Sequence, residues 1–228
     1  MSDIRYRHEI KYEINLSDYY SLRPALQTVA KRDPNAGSNG KYHIRSLYFD
    51  TNNDDALRAK INGLSNREKY RIRLYNMEHT LIRLEKKQKI NGLCNKMSAV
   101  ITRQQCESIL SGDTEWVCDM GDAVLMEFHA KAKGQQLKPK TVIDYWREAY
   151  ILPFGNVRIT FDSDIRSGQH NINLFDAELP TLQVSEQGVI LMEVKYDDFL
   201  PDVMRNIIQV KDRHVTAFSK YAIGRIYG

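Results

Sequence analysis

Charged and apolar positions alternate along several short segments of this chain. In the first, Arg5, Arg7, Glu9, Lys11 and Glu13 share one parity, and Tyr6, His8, Ile10, Tyr12 and Ile14 share the other. The pattern returns as Arg67, Lys69, Arg71 and Arg73 against Tyr70, Ile72 and Leu74, and again as Arg83, Glu85, Lys87 and Lys89. Successive side chains of a strand point to opposite faces. Each segment therefore predicts a strand with one charged row, mostly basic, backed by a mostly apolar row. The spacing predicts strands over 4–15, 43–50, 67–75, 81–90, 141–152, 157–162 and 189–196. Residues 76–80 join the third and fourth as a hairpin.

Helical patterns fill the intervals, over 18–31, 54–61, 102–110, 122–133, 201–210 and 216–227. Ser17 is a candidate N-cap for the first, and Pro24 marks either its first turn or a kink. Asn62-Gly63 and Asn91-Gly92 read as turns, Pro139 closes the helical middle, and 33–40 and 163–187 read as loops. Hairpins interrupted by helices, without steady β-α-β alternation, predict an α+β fold with an antiparallel sheet. No repeat divides the chain, which is read as one domain spanning 1–228.

The sum of the charged rows changes the picture. A solvated sheet face mixes signs, because like charges opposite each other destabilise a sheet. Here the rows are enriched in Arg and Lys. Curling the sheet into an antiparallel β-barrel turns those rows inward and leaves the apolar rows for helices packed outside. Opposed cations inside an empty barrel cannot neutralise each other, whereas a bound polyanion makes such an interior favourable.

The 228 residues are long enough for a substantial core, with 42% hydrophobic and 27% charged residues, ordinary for a globular protein. A net charge of +4 does not predict a nucleic-acid partner. No apolar run reaches transmembrane length and no signal-peptide pattern follows Met1, so a cytoplasmic location is expected. Cys94, Cys106 and Cys118 form no CxxC pair, so free thiols are expected and a zinc site is not. His8, His43, His79, His129, His170 and His214 form no cluster and read as structural or exposed. Walker A and kinase motifs are absent.

Several fragments in one order carry a resemblance. They are Arg7-His8-Glu9-Ile10-Lys11-Tyr12, Ser46-Leu47-Tyr48-Phe49-Asp50-Thr51, Lys69-Tyr70-Arg71-Ile72-Arg73, Leu84-Glu85-Lys86-Lys87, Arg147-Glu148-Ala149-Tyr150, Arg158-Ile159-Thr160-Phe161-Asp162, Leu191-Met192-Glu193-Val194-Lys195-Tyr196 and Phe218-Ser219-Lys220-Tyr221. Over nearly the whole chain the sequence resembles the VTC domain, the polyphosphate-polymerase branch of the CYTH-like triphosphate tunnel superfamily. The hydrolase branch begins with E-x-E-x-K; here Arg7, Glu9 and Lys11 hold those positions, and the R-x-E-x-K form resembles the VTC branch. The exchange removes one carboxylate and adds a cation, which argues against a plain triphosphatase.

The resemblance implies transfer of the γ-phosphoryl of ATP to a polyphosphate chain, with ATP or another triphosphate and polyphosphate as partners and Mn²⁺ or Mg²⁺ as cofactor. It implies phosphate ligands at Lys11, Arg71, Arg73, Lys87, Lys96, Arg147, Arg158 and Lys220. It implies a metal ligand at Glu193; among the other carboxylates on these strands, Glu9, Glu85 and Asp162 are weaker candidates. The alternating rows add Arg7, Lys69 and Lys195 as substrate-binding candidates. Lys96, beyond the Asn91-Gly92 turn, reads as a loop residue. A tunnel arginine such as Arg73 is expected to serve anion binding rather than stability. A hydrolase of the same fold and a non-catalytic polyanion-binding module remain as alternatives. Eukaryotic relatives sit in membrane assemblies. This chain shows neither their extra domains nor a spanning helix, and is expected to act alone or beside a separately encoded membrane protein.

Overall fold

The structure, a computed structural model, describes residues 6–210 and 212–228. Positions 4 and 5 of the first predicted strand lie outside them. The sheet is ten-stranded and antiparallel. Its main path runs β1 (His8–Ile14), β10 (Ile190–Tyr196), β8 (Val157–Ser167), β7 (Lys138–Leu152), β3 (Tyr42–Asp50), β4 (Arg67–Tyr75), β5 (Glu78–Ile90) and β6 (Leu93–Ile101). Two short strands, β2 (Lys31–Arg32) and β9 (Leu182–Gln183), pair with β7 and β8. The path curls until its two ends touch. Arg7 and Cys94 exchange a pair of backbone hydrogen bonds at 2.9 Å, linking the start of β1 to β6.

Among the described residues, six α-helices surround this curled sheet: α1 (Leu16–Val29), α2 (Asp55–Ile61), α3 (Arg103–Ser111), α4 (Ala123–Gln135), α5 (Asp202–Ile207) and α6 (Lys220–Ile226). The apolar rows face outward, as the parity predicted. Ile72, Leu74, Ile82 and Leu84 pack with Cys106 and Ile109 of α3 and Leu125 and Phe128 of α4. On the other side Ile159, Phe161, Met192 and Val194 pack under Leu22 and Leu26 of α1 and Met204 of α5. A third cluster, including Tyr48, Ile143, Tyr145 and Leu191, lies on the inner face and packs against Tyr221 of α6.

Several boundaries differ from the sequence reading. Strand β6 went unrecognised because its short run follows a turn and lacks a sustained charged row; it pairs with β5 throughout. The hairpin turn is tighter, with Asn76 and Met77 both at positive φ. The cap of α1 is Asn15, not Ser17: Asn15 and Asp18 form a reciprocal capping box. Pro24 lies in mid-helix. Pro139 lies within β7, where the β3–β7 register shifts and a ladder N–H is dispensable. The last helix begins at Lys220, and β8 extends into the stretch read as loop.

Candidate active site

The inward rows enclose a cavity of about 880 Å³. From β1 it receives Glu9 and Lys11, and Arg7 from just before that strand; from β4, Lys69, Arg71 and Arg73; from β5 and β6, Arg83, Lys87 and Lys96. Arg147 of β7, Arg158 of β8, Glu193 and Lys195 of β10 and Lys220 of α6 complete the opposite wall. Residues from first to last in the chain converge because the sheet path puts β1 beside β10 and bends β6 back to meet β1. Among the described residues, twelve lysines and arginines line the cavity against four carboxylates, Glu9, Asp33, Glu78 and Glu193.

The weaker metal candidates Glu85 and Asp162 do not line it. Both are fully buried beneath the lining and committed to cations. Glu85 bonds Arg71 through Nη2 at 2.7 Å and Lys96 at 3.0 Å, with Arg73 at 3.6 Å. Asp162 takes Arg147 at 2.6 and 2.7 Å and Lys220 at 2.5 Å. These carboxylates also correct the expectation of an interior without neutralising partners. The acids needed to hold the cations in place are part of the wall. Burial opposes ionisation of Glu85, but Arg73, Arg71 and Lys96 outweigh it and hold its pKa well below the usual carboxylate range. Arg147 and Lys220 likewise overcome the burial of Asp162.

Glu9 and Glu193 differ because they face the open space. Lys11 Nζ lies 3.3 Å from Glu9 and 3.5 Å from Glu193. Lys195 also sits between them, 3.5 Å from Glu9 and 3.1 Å from Glu193. Lys87 bonds both oxygens of Glu9, at 2.6 and 2.7 Å. Burial opposes ionisation at both acids, yet the surrounding lysines hold both well below the usual carboxylate range. Two ionised carboxylates sharing lysine partners suit a hard divalent cation, which takes one or two carboxylates plus phosphate oxygens.

The structure gives several lining residues a setting that the sequence reading did not, and adds others to the wall. Lys96 sits on β6 directly opposite Lys87 of β5, not in a loop. Arg73 is buried, donating to Tyr145 Oη at 2.8 Å and Ser46 Oγ at 3.2 Å, and so is structural as well as facing the cavity. Arg158 is held by Asp33, which comes from the loop after β2, and by Tyr42 Oη at 3.0 Å. His8 is exposed, as the sequence reading allowed; it also borders the cavity and stacks on Tyr196 with centroids 4.9 Å apart. Tyr42, Tyr48, Tyr75 and Tyr145 carry no charge, so charge alternation could not mark them. The inward parity of β3, Tyr42, Ile44, Ser46 and Tyr48, was the available signal.

Tyr48 and Lys69 are strongly perturbed. Burial raises the Tyr48 phenol, but Arg71, Lys69 and Arg73 overcome it and bring it down to about 7. Burial and neighbouring cations lower the Lys69 ammonium to about 7, with Tyr48 acting in the opposite sense. Lys69 Nζ lies 5.4 Å from the Tyr48 ring centroid, and Arg71 donates to Tyr48 Oη at 3.0 Å. Lys11 titrates above its ordinary range: Glu193 and Glu9 more than offset its burial.

Among the described residues, no helix is long and apolar enough to cross a membrane. No curated protein sequence matches the chain. Solved structures share the fold, and two serve for comparison. HpAC1 from Hippeastrum, described as an adenylyl cyclase candidate with a dominant triphosphatase activity, matches with a TM-score of 0.56 at 13% identity over 96% of this chain and 94% of its own. The PH1012 protein of Pyrococcus horikoshii OT3 matches at 0.51 and 14%, over 95% and 98%. The family model of the VTC domain matches residues 6–227. With a curled antiparallel sheet, a cation-lined interior and a family match from the first strand to the last helix, the chain belongs to the VTC domain family.

Proposed function

We propose that this chain is a metal-dependent polyphosphate polymerase that moves the γ-phosphoryl of ATP onto a polyphosphate chain held in the cavity. One observation carries the reading. Twelve cations surround a space of about 880 Å³, within the range of small-ligand sites and roomy enough for a nucleoside triphosphate or a longer phosphate chain. Arg7 strengthens it by placing a cation where the hydrolase branch has a carboxylate. Its guanidinium is anchored by Asp197 at 2.9 Å and by the Asn156 carbonyl.

Phosphoryl transfer depends on positioning and charge stabilisation. Arg71 and Arg73 of β4 can fork onto successive phosphates from one wall, and Arg147 and Arg158 from the other. Their carboxylate partners fix their side chains before the anion arrives, so little rotamer entropy is left to lose. The attacking group is a terminal phosphate oxygen of the chain, ionised at neutral pH without a general base. It forms a new bond to Pγ as the bond from Pγ to the ADP oxygen breaks, and ADP leaves with that electron pair. Enzymes of the triphosphate tunnel class generally depend on a divalent metal. Glu9 and Glu193 would hold Mn²⁺ or Mg²⁺ here, where it would neutralise phosphate charge. The remaining named residues bind phosphate oxygens and align the reacting groups.

A triphosphatase of the same fold is the second reading, favoured by the likeness to HpAC1. Incubation with ATP and Mn²⁺ separates the two. Long-chain polyphosphate with stoichiometric ADP supports the polymerase; orthophosphate without polymer overturns it in favour of the hydrolase. Tight tripolyphosphate binding with no turnover of either kind would leave only a binding module.

A further inference from the structure

A second cluster of metal-ligating side chains lies outside the barrel, on elements that the cavity does not use. Glu115 and Cys118 belong to a short 3-10 helix, Glu115–Asp119, and His129 to α4. In a 3-10 helix, residues three apart eclipse one another. Glu115 and Cys118 therefore project from one side, and that side meets α4. One donor atom from each of the three residues lies within 4.8 Å of the other two.

The pair that matters most is already near coordination distance. Cys118 Sγ and His129 Nε2 are 3.9 Å apart. With Zn–S of about 2.3 Å and Zn–N of about 2.0–2.1 Å, a tetrahedral angle sets the S···N edge at about 3.5–3.6 Å. Closing that gap requires a movement of a few tenths of an ångström. The opposite ring nitrogen is oriented as well. His129 Nδ1 lies 2.8 Å from Oγ1 of Thr114, itself buried at the foot of the 3-10 helix. When Nδ1–H donates to that hydroxyl, Nε2 presents its lone pair to Cys118, the arrangement that fixes the ring of a metal-ligating histidine.

We propose that Cys118, His129 and Glu115 form a binding site for Zn²⁺ or a similar borderline cation, with water in the fourth position. The donor set distinguishes this site from the cavity. Thiolate and imidazole favour zinc, whereas the Glu9–Glu193 pair offers only oxygen and suits Mg²⁺ or Mn²⁺. Binding converts the Cys118 thiol to a thiolate and releases its proton to solvent, so affinity rises with pH. Lys133, 2.5 Å from Glu115, is half-exposed and can swing away as the carboxylate turns to the metal. The bound ion would staple the 3-10 helix to α4. The expectation that Cys118 has no ligand partners rested on sequence spacing, which did not show His129 folding back beside it.

The test uses the full chain with reduced cysteines, titrated with Co²⁺ in excess Mg²⁺, which occupies oxygen sites. The expected result is a thiolate-to-cobalt charge-transfer band that saturates at one equivalent and is bleached by Zn²⁺. The band should vanish in Cys118→Ser, an exposed position whose change leaves packing intact. His129→Gln should weaken cobalt binding at least tenfold, and Glu115→Gln should weaken it less. Cys94→Ser should retain the band, separating this site from the thiol in the cavity. A wild-type chain without the band overturns the proposal. So does a band that survives Cys118→Ser, or one indifferent to His129→Gln.

Discussion

Arg147 clamps Asp162 across β7 and β8 with two parallel bonds, Nε to Oδ1 at 2.6 Å and Nη2 to Oδ2 at 2.7 Å. The carboxylate is wholly buried, and Lys220 of α6 reaches it from the other side at 2.5 Å. This triad ties the last helix to the middle of the sheet and aims two cations at the cavity. Removing one member of a buried ion pair leaves the others uncompensated, typically costing about 3–5 kcal/mol. Asp162→Asn should therefore lower the midpoint of denaturant unfolding sharply. Tripolyphosphate should restore more stability to this variant than to the parent, because it supplies the missing negative charge. An unchanged midpoint would show that the triad does not hold the wall.

Arg73→Ala should affect binding and stability together. Arg73 is buried and bonds Tyr145 and Ser46 while supporting Glu85. Leaving those partners unsatisfied costs about 1–3 kcal/mol. Arg71, closer to Glu85, limits the damage. The dissociation constant for tripolyphosphate should rise at least tenfold in calorimetry, alongside a modest fall in melting temperature. Loss of stability with unaltered affinity would remove Arg73 from the phosphate ligands.

Glu193→Gln should abolish metal-dependent turnover and tighten tripolyphosphate binding in the absence of metal. The substitution deletes a negative charge from among Lys11, Lys195 and Lys220. Calorimetry without metal and product assay with Mn²⁺ read the two effects separately. Full activity in this variant would remove Glu193 from the metal site.

Anion binding should take up protons near neutral pH. Lys69 and Tyr48 both titrate at about 7 in the free protein. A polyanion in the cavity favours the ammonium over the amine and the phenol over the phenolate, raising both values. Above pH 7 the complex therefore binds more protons than the free protein, and affinity falls as pH rises from 7 to 9. Calorimetry in buffers of different ionisation enthalpy should show net uptake, reduced in Lys69→Met. Proton release at pH 8 would contradict this assignment.

Much of the cavity could be read from parity. Arg71 and Arg73, two residues apart on a strand, had to share a face, and so did Glu193 and Lys195. Parity does not specify how deep a side chain sits or what stands across from it. Glu9 and Glu85 fall on inward rows alike, yet Glu9 opens to the cavity while Glu85 is buried under three cations. Asp33 gave no periodic signal because it lies in a loop, and it reaches Arg158 only through the folded chain.

By itself, the sequence determined the alternation that makes each strand two-faced, the excess of cations on one face, the apolar row that helices must cover, and the ordered fragments of a VTC domain. These are local properties, set by side-chain chemistry and a two-residue period. Only the tertiary structure decided that Arg7 would meet Cys94 and bring the sheet's ends together, which carboxylates would brace the wall and which would face the cavity, and that Cys118 would stand beside His129. Those outcomes depend on strand register and on the curl of the whole sheet, which arise from packing between segments far apart in the chain.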